Sequence, residues 1–499
     1  MNDTMQAAPS VGADEVQQFG YSQKLKRSIS SFESFALAFS IVSIITGITT
    51  TYGFTLATSG PRGIWMWLLA GAGQFLVVLI FAQLSTHIPL SGSSYQWGSR
   101  LANPKIGWGF GWLSFSFFTV GVASVGYSFT TQAFSPLFGL ELSNSGITAV
   151  TIALIAVWVL VCIASTQLVA GINVAAVTAE IAGVIGITVA LLAAVVIFGG
   201  DGSVSNLFSK GEIPSSGYYD YNGPFMLSIL LAAFTLTGFE AAANVSEETE
   251  EAERSVPWAL VRAIGMSIVL GMLFLIALTV AIPDVPSISE SAAPVATILH
   301  EQFGSFVEKV FLVLVCISIF AVGMLCMISS SRILFAMSRD RRFPGHQLFS
   351  RVSSRTQTPI PATLAIFVCA AGLMLIVGSS PETLANLFTA TAILPALIYA
   401  SVMVLFLLTK SKLPARSRYF DLGRWATPIA AVAFVWLLFE LSALLLPSIF
   451  WTSVKIVGIF LAIGAAIFVG NLLFNRESLE HEPGALALDS EAPAEEVSL

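Results

Sequence analysis

The chain has 499 residues, of which 55% are hydrophobic and 11% charged, with a mean hydropathy of +0.82. Soluble domains carry roughly 25% charged residues, so this composition identifies an integral membrane protein. Its 23 Lys and Arg against 30 Asp and Glu give a net charge of -7, which leaves no basic face for nucleic acid. The four Cys (Cys162, Cys316, Cys326, Cys369) lie in apolar stretches without metal or redox spacing and read as packing residues.

Residues 1–30 are polar and hold no short apolar core followed by a cleavage site, so they read as a cytoplasmic tail, with the first span as its own insertion signal. Crossing the hydrocarbon core takes roughly 20 apolar residues in a helix. Twelve stretches qualify, at about 31–57, 63–87, 106–135, 147–164, 171–199, 223–246, 257–282, 293–337, 360–379, 382–409, 426–446 and 450–474. The eighth is too long for one crossing and is expected to begin with a separate lead-in helix around Ala293 to Phe303. Barrel strands are excluded, because they would be ~10 residues long and alternating. With the N-terminus inside, all of the 23 Lys and Arg except Arg62, Lys210, Lys309 and Lys455 fall on the cytoplasmic side. The positive-inside rule therefore expects both termini in the cytoplasm. Residues 475–499 carry Glu, Pro, Ala and Ser without apolar periodicity and read as a disordered tail.

Two spans contain interruptions. In the first, Thr46-Gly47-Ile48-Thr49-Thr50-Thr51-Tyr52-Gly53 puts β-branched Thr and Gly at mid-membrane depth, where both weaken a helix. In the sixth, Phe234-Thr235-Leu236-Thr237-Gly238-Phe239-Glu240 repeats the pattern and adds a carboxylate. Interrupted helices at matching positions of two halves point to a midplane site between inverted repeats. The halves are expected to be helices one to five (31–199) and six to ten (223–409), with helices eleven and twelve (426–474) outside them. A broken helix leaves free N–H groups on one half and free C=O groups on the other. A zwitterion suits such ends, its carboxylate on the N–H groups near Gly47 to Thr50 and its ammonium on the carbonyls and acid of the sixth helix. Close packing or a kink would be the plainer use of the same glycines.

Acids within spans are costly and default to functional hypotheses. Glu240 follows the sixth-helix break, where it either meets an ammonium group, exchanges a proton, or caps the second half-helix. Glu180, in mid-fifth helix with no basic residue nearby in sequence, is a candidate to take up and release a proton, or else a permanently protonated structural acid. Glu440, outside the repeat, reads as structural or as an oligomer contact. No metal-ligand cluster, Walker motif or serine-nucleophile elbow occurs, so neither a cofactor, a metal nor an enzymatic activity is expected.

Four segments carry a family resemblance: Ser59-Gly60-Pro61-Arg62-Gly63; Pro89-Leu90-Ser91-Gly92-Ser93-Ser94-Tyr95-Gln96-Trp97; Gly238-Phe239-Glu240 running into Ser246-Glu247-Glu248-Thr249; and Arg332 to Pro344. On these the chain resembles the amino acid, polyamine and organocation permease superfamily, and within it the amino acid and choline transporter family with its 4-aminobutyrate permeases. The resemblance runs from about Ser30 to the end of the tenth helix. It implies an all-α fold of twelve transmembrane helices with five-plus-five inverted repeats, discontinuous at helices 1 and 6. By position it assigns substrate contacts to Thr46, Gly47, Ile48, Thr49, Thr50, Phe234, Thr237, Gly238, Phe239 and Glu240, with Phe234 as an aromatic gate. Glu180 falls where some proton-coupled relatives have a Lys, so that mechanism does not transfer; proton coupling through Glu180, or Glu240, is inferred from this chain's own acids. The first break reads Thr-Gly-Ile-Thr instead of the Gly-Ser-Gly type, and Ser93 stands where a second Gly is usual.

The expected activity is secondary active import of amino acids or 4-aminobutyrate, driven by protons. Alternatives are a choline, polyamine or other organic-cation permease, an amino acid exchanger, or a non-transporting nutrient sensor. The expected partners are a small amino acid or amine, protons and the lipid bilayer of a plasma membrane, or of a bacterial inner membrane, with oligomeric state left open.

Overall fold

The computed structural model describes Phe19, Gly20, Leu25 and residues 27–377, 383–413 and 419–480. Most of the expected N-terminal tail, and the tail beyond Glu480, lie outside the described residues.

The spans form helices because each is an apolar run with capping residues at its ends. Ser30 opens the first with a capping box, its hydroxyl accepting from Glu33 N while Glu33 accepts from Ser30 N at 2.7 Å. Asn103, Ser143 and Ser165 cap the third, fourth and fifth, each side chain accepting from a first-turn N–H without a reciprocal partner. We number the spans α1 (Ser31–Val42 and Ile44–Ser59), α2 (Met66–His87), α3 (Pro104–Ser128), α4 (Asn144–Ala164), α5 (Thr166–Leu192) and α6 (Pro224–Thr235 and Ala241–Asn244). The rest are α7 (Ala252–Val280), α8 (Ser305–Arg339), α9 (Ile360–Val377), α10 (Thr383–Thr409), α11 (Ala426–Leu445) and α12 (Trp451–Phe474). Eleven of these are long and apolar enough among the described residues to cross a membrane, and the shorter, broken α6 completes the twelve expected. The long eighth stretch divides as expected into Pro294–Phe303 and α8, separated by Gly304 at φ +81°.

The helices arrange in two shells. α1, α3, α8 and α10 are largely enclosed, whereas α4, α5, α9 and α12 expose most of their apolar surface, as a bilayer-facing shell must. α8 packs along α3, α7 along α2 and the first half of α1, and α10 along α3 and α11. The loop between α5 and α6 folds over the far end of α1, where Tyr218 Oη donates to Ser59 O at 2.7 Å. Burial there, with Tyr219 beside it, pushes the Tyr218 hydroxyl up to about 12. The two broken helices meet near the middle of the bundle, Gly47 of α1 lying directly against Thr235 of α6.

Candidate functional site

The two breaks differ in cause. In α6 the chain leaves the helix at Leu236 and resumes at Ala241, as expected, with Gly238 at φ +83°, a conformation that side chains with a Cβ rarely take. Its freed N–H donates to Tyr399 Oη of α10 at 2.9 Å, and that hydroxyl donates to Glu240 Oε2 at 2.5 Å. In α1 the break falls at Ser43 (φ 26°), three residues before the Thr/Gly segment expected to interrupt it. Thr46 to Gly53 run in regular helix, where Thr51 Oγ1 donates to Gly47 O at 2.7 Å and Thr50 Oγ1 pairs with Ser128 Oγ of α3 at 2.8 Å.

What holds Ser43 out of the helix is Glu180 of α5. Its Oε1 accepts from Ser43 Oγ and from Ile45 N, both at 3.0 Å. Thr46 N is taken by Ser43 Oγ at 3.1 Å and Gly47 N by Ser43 O at 2.9 Å. The N–H groups near Gly47 to Thr50, expected to receive a substrate carboxylate, are therefore committed within the helix, and the buried helix start is capped by a protein carboxyl group instead. α5 also reaches the first half of α1, where Ser40 Oγ donates to Asn173 Oδ1 at 2.9 Å.

Between the breaks lies a cavity of about 30 Å³, room for one or two waters, so the chain is seen with its centre closed. Five of the expected contact residues line it: Thr46, Gly47, Phe234, Thr237 and Gly238. Thr49 and Thr50 line a second cavity of about 150 Å³ on the side away from the N-terminus, together with Gln132 and Phe388. Ile48, Phe239 and Glu240 line neither; Phe239 packs on Phe81 and Tyr399, and Glu240 faces Tyr399 with its Oε1 unpartnered. Phe234 and Phe388, with centroids 4.8 Å apart, stand between the two cavities.

Sequence reasoning missed the rest of the wall. Phe117, Gly121 and Val125 form one stripe of α3, Val322 and Cys326 one stripe of α8, and Thr391 projects from α10. Their four-residue spacing on unbroken helices looks like any packing face, which is also why Cys326 read as core. The central cavity is lined without a single charged side chain. Glu440 is enclosed between α11 and α2, accepting from Gln74 Nε2 at 2.9 Å, which removes it from any surface that an oligomer contact would need.

On the N-terminal face two buried ion pairs tie the end of α6 to α8. Glu248 accepts from Arg332 Nε at 2.8 Å, and Glu247 receives both terminal nitrogens of Arg339 at 3.0 Å, all four side chains being buried. Arg332 and Arg339 lie seven residues apart on α8, so adjacent acids beyond α6 meet one stripe at positions two turns apart. Ser91 N donates to Glu247 Oε1 at 3.2 Å, and Tyr95 Oη donates to Asp340 at 2.5 Å. Three of the motif segments thus converge here. The segment before α1 joins them through the backbone, with Ser28 N and Ile29 N on Glu248 O and Glu250 N on Ile29 O.

A sequence profile for the family described as amino acid permease matches residues 29–474. The chain is 26% identical over 448 residues to an amino-acid permease, BAT1, of Arabidopsis thaliana, covering 85% of this chain and 86% of that one. It is 26% identical over 387 residues to a GABA-specific permease of Saccharomyces cerevisiae, covering 74% and 66%. It is also 23% identical over 468 residues to a putative polyamine transporter of Candida albicans, covering 88% and 82%.

Proposed function

The chain belongs to the amino acid permease family, and from that premise we propose that it imports small amino acids or 4-aminobutyrate by alternating access, with protons as the coupling ion. The N-terminal face is assigned to the cytoplasm of a plasma membrane, and 31–199 and 223–409 to two inverted repeats. One observation carries the substrate reading: a closed, uncharged cavity between two helix breaks, with an aromatic pair on one side and two buried ion pairs on the other. A substrate held between breaks meets backbone dipoles and hydroxyls, which suit a molecule whose charges sum to zero. A polyamine would bring several ammonium groups to a lining without a carboxylate and lose their hydration uncompensated.

In the cycle, parting of Phe234 from Phe388 opens the cavity toward the outer vestibule, and Thr49 and Thr50 line the approach. Thr46, Gly47, Phe234, Thr237 and Gly238 contact the bound substrate. Ile48, Phe239 and Glu240 act from behind, Glu240 through Tyr399. Release toward the cytoplasm separates Glu247 and Glu248 from α8 while the segment before α1 moves with them. Glu180 couples the proton to this motion. A carboxylate holds N–H and O–H donors more strongly than a neutral acid does. Proton arrival therefore loosens its hold on Ser43 and Ile45, the hinge between the halves of α1.

Reconstitution in liposomes tests the proposal, with uptake of labelled 4-aminobutyrate, neutral amino acids, choline and putrescine measured with and without an inward proton gradient. Gradient-driven accumulation of an amino acid or 4-aminobutyrate is the expected result. Accumulation of putrescine or choline alone would replace the substrate class, and binding without accumulation would replace import by exchange or sensing.

A further inference from the structure

α3 and α10 part toward the N-terminal face and leave a groove of about 400 Å³ between them, with Ile106, Gly109 and Leu113 on one wall and Val404, Leu405 and Leu408 on the other. It opens sideways: Ile106, Val404 and Leu408 are exposed, on a surface that faces the bilayer in a membrane-spanning bundle. The hydroxyls within it, Ser401 and Thr409, donate to Leu397 O and Leu405 O of their own helix at 2.8 and 2.6 Å, so the walls are apolar in effect. Gly109 deepens the floor, since a Cβ there would meet nothing within 4 Å.

The mouth has the opposite character. Lys105 is exposed and immediately precedes Ile106, and exposed Lys412 donates to Leu101 O at 2.6 Å, next to the groove residue Ala102. Neither 100–113 nor 398–413 contains an Asp or Glu, so nothing within these segments neutralises the two ammonium groups. Lys412 keeps two N–H donors beyond the one on Leu101 O. An apolar slot that opens to acyl chains and ends at two cations at headgroup depth is complementary to one kind of molecule.

We propose that the groove between α3 and α10 is a binding site for one anionic phospholipid of the leaflet on the N-terminal side, with an acyl chain along Gly109 and its phosphate on Lys105 and Lys412. Phosphatidylcholine offers the same chain but carries a trimethylammonium group toward the lysines. The site lies outside the central cavity and is independent of the substrate reading.

Native mass spectrometry of the purified full chain, titrated with phosphatidylglycerol and with phosphatidylcholine of the same acyl chains, tests it. Wild type is expected to retain one phosphatidylglycerol in preference to phosphatidylcholine. The Lys105→Gln/Lys412→Gln variant should weaken phosphatidylglycerol roughly thirtyfold, the effect of two interfacial cations, and leave phosphatidylcholine unchanged. Gly109→Phe, whose ring fills the slot, should lose the retained lipid of either headgroup. Thermal melting of each variant in detergent separates loss of the site from loss of the fold. Equal retention of both lipids by wild type, or wild-type retention by the folded Gly109→Phe variant, would overturn the proposal.

Discussion

Glu180 Oε1 accepts the Ile45 N–H at 3.0 Å, which makes a side chain of α5 the cap of the second half of α1. An anion at a helix start is favoured by both the free N–H groups and the dipole. Here the acceptor is a side-chain carboxyl of the protein itself, a group that binds donors more strongly when ionised.

Glu180→Gln is accordingly expected to lose proton-driven accumulation while keeping substrate counterflow. Its amide oxygen still accepts from Ser43 and Ile45, but it no longer exchanges a proton. Glu180→Ala removes the cap as well, at about 0.5–2 kcal/mol, and should lower the melting temperature where Gln does not. The measurement is uptake against external pH in proteoliposomes, beside counterflow at equal pH. Uptake by Glu180→Gln that stays fully pH-driven would transfer the coupling to Glu240.

Gly47→Ala is expected to abolish transport. A Cβ at Gly47 would come within 2.2 Å of Thr235 Oγ1 and 2.3 Å of Thr235 Cγ2, so the two broken helices would be forced apart at the centre. Thr235→Ala in the same chain removes those two atoms but leaves Thr235 Cβ at 2.6 Å, so rescue should be partial. Full activity of the single variant would show that α1 and α6 need not touch here during the cycle.

Tyr399→Phe should cost about 1–3 kcal/mol, because it strips the buried Gly238 N–H of its acceptor and Glu240 of its donor together. Tyr399 stays in place through its ring packing on Phe81 and Phe239, so the loss reads out as a lower melting temperature in an intact fold. Glu240→Gln keeps an acceptor for the Tyr399 hydroxyl and should melt close to wild type.

The contrast between the breaks shows what a sequence carries. α6 is interrupted by its own residues, since Gly238 takes a backbone angle that its neighbours could not, and the segment was readable at sight. α1 is interrupted by Glu180, 137 residues from Ser43, while the Thr segment that looks disruptive runs in regular helix. A tertiary contact overrode local propensity there. The same holds for the cavity wall, because Phe117, Gly121, Val322 and Cys326 become a wall only when α3 and α8 are brought to face the breaks. Glu247, Glu248, Arg332 and Arg339 were visible as motif residues, but their pairing depends on a meeting of α8 with the end of α6 that no spacing encodes.

That pairing is open to a double-mutant cycle. Arg332→Ala leaves Glu248 buried and unpaired, and Glu248→Ala strands Arg332, so each should cost about 3–5 kcal/mol. Removing both takes away two ions that had paired with each other, so the double variant should be more stable than the sum of the single losses predicts. Arg332→Lys keeps the charge but loses the fork that also reaches Thr166 Oγ1 at 3.1 Å, and should fall between wild type and Arg332→Ala. If the pair also seals the path, the double variant should show a readout that stability alone would not move. A cysteine placed at Ser329, beside Val169 and Val245 on the N-terminal side of the central cavity, should become reactive to an impermeant thiol reagent added from that side. Unchanged labelling in a folded double variant would leave the pair a purely structural tie between α6 and α8.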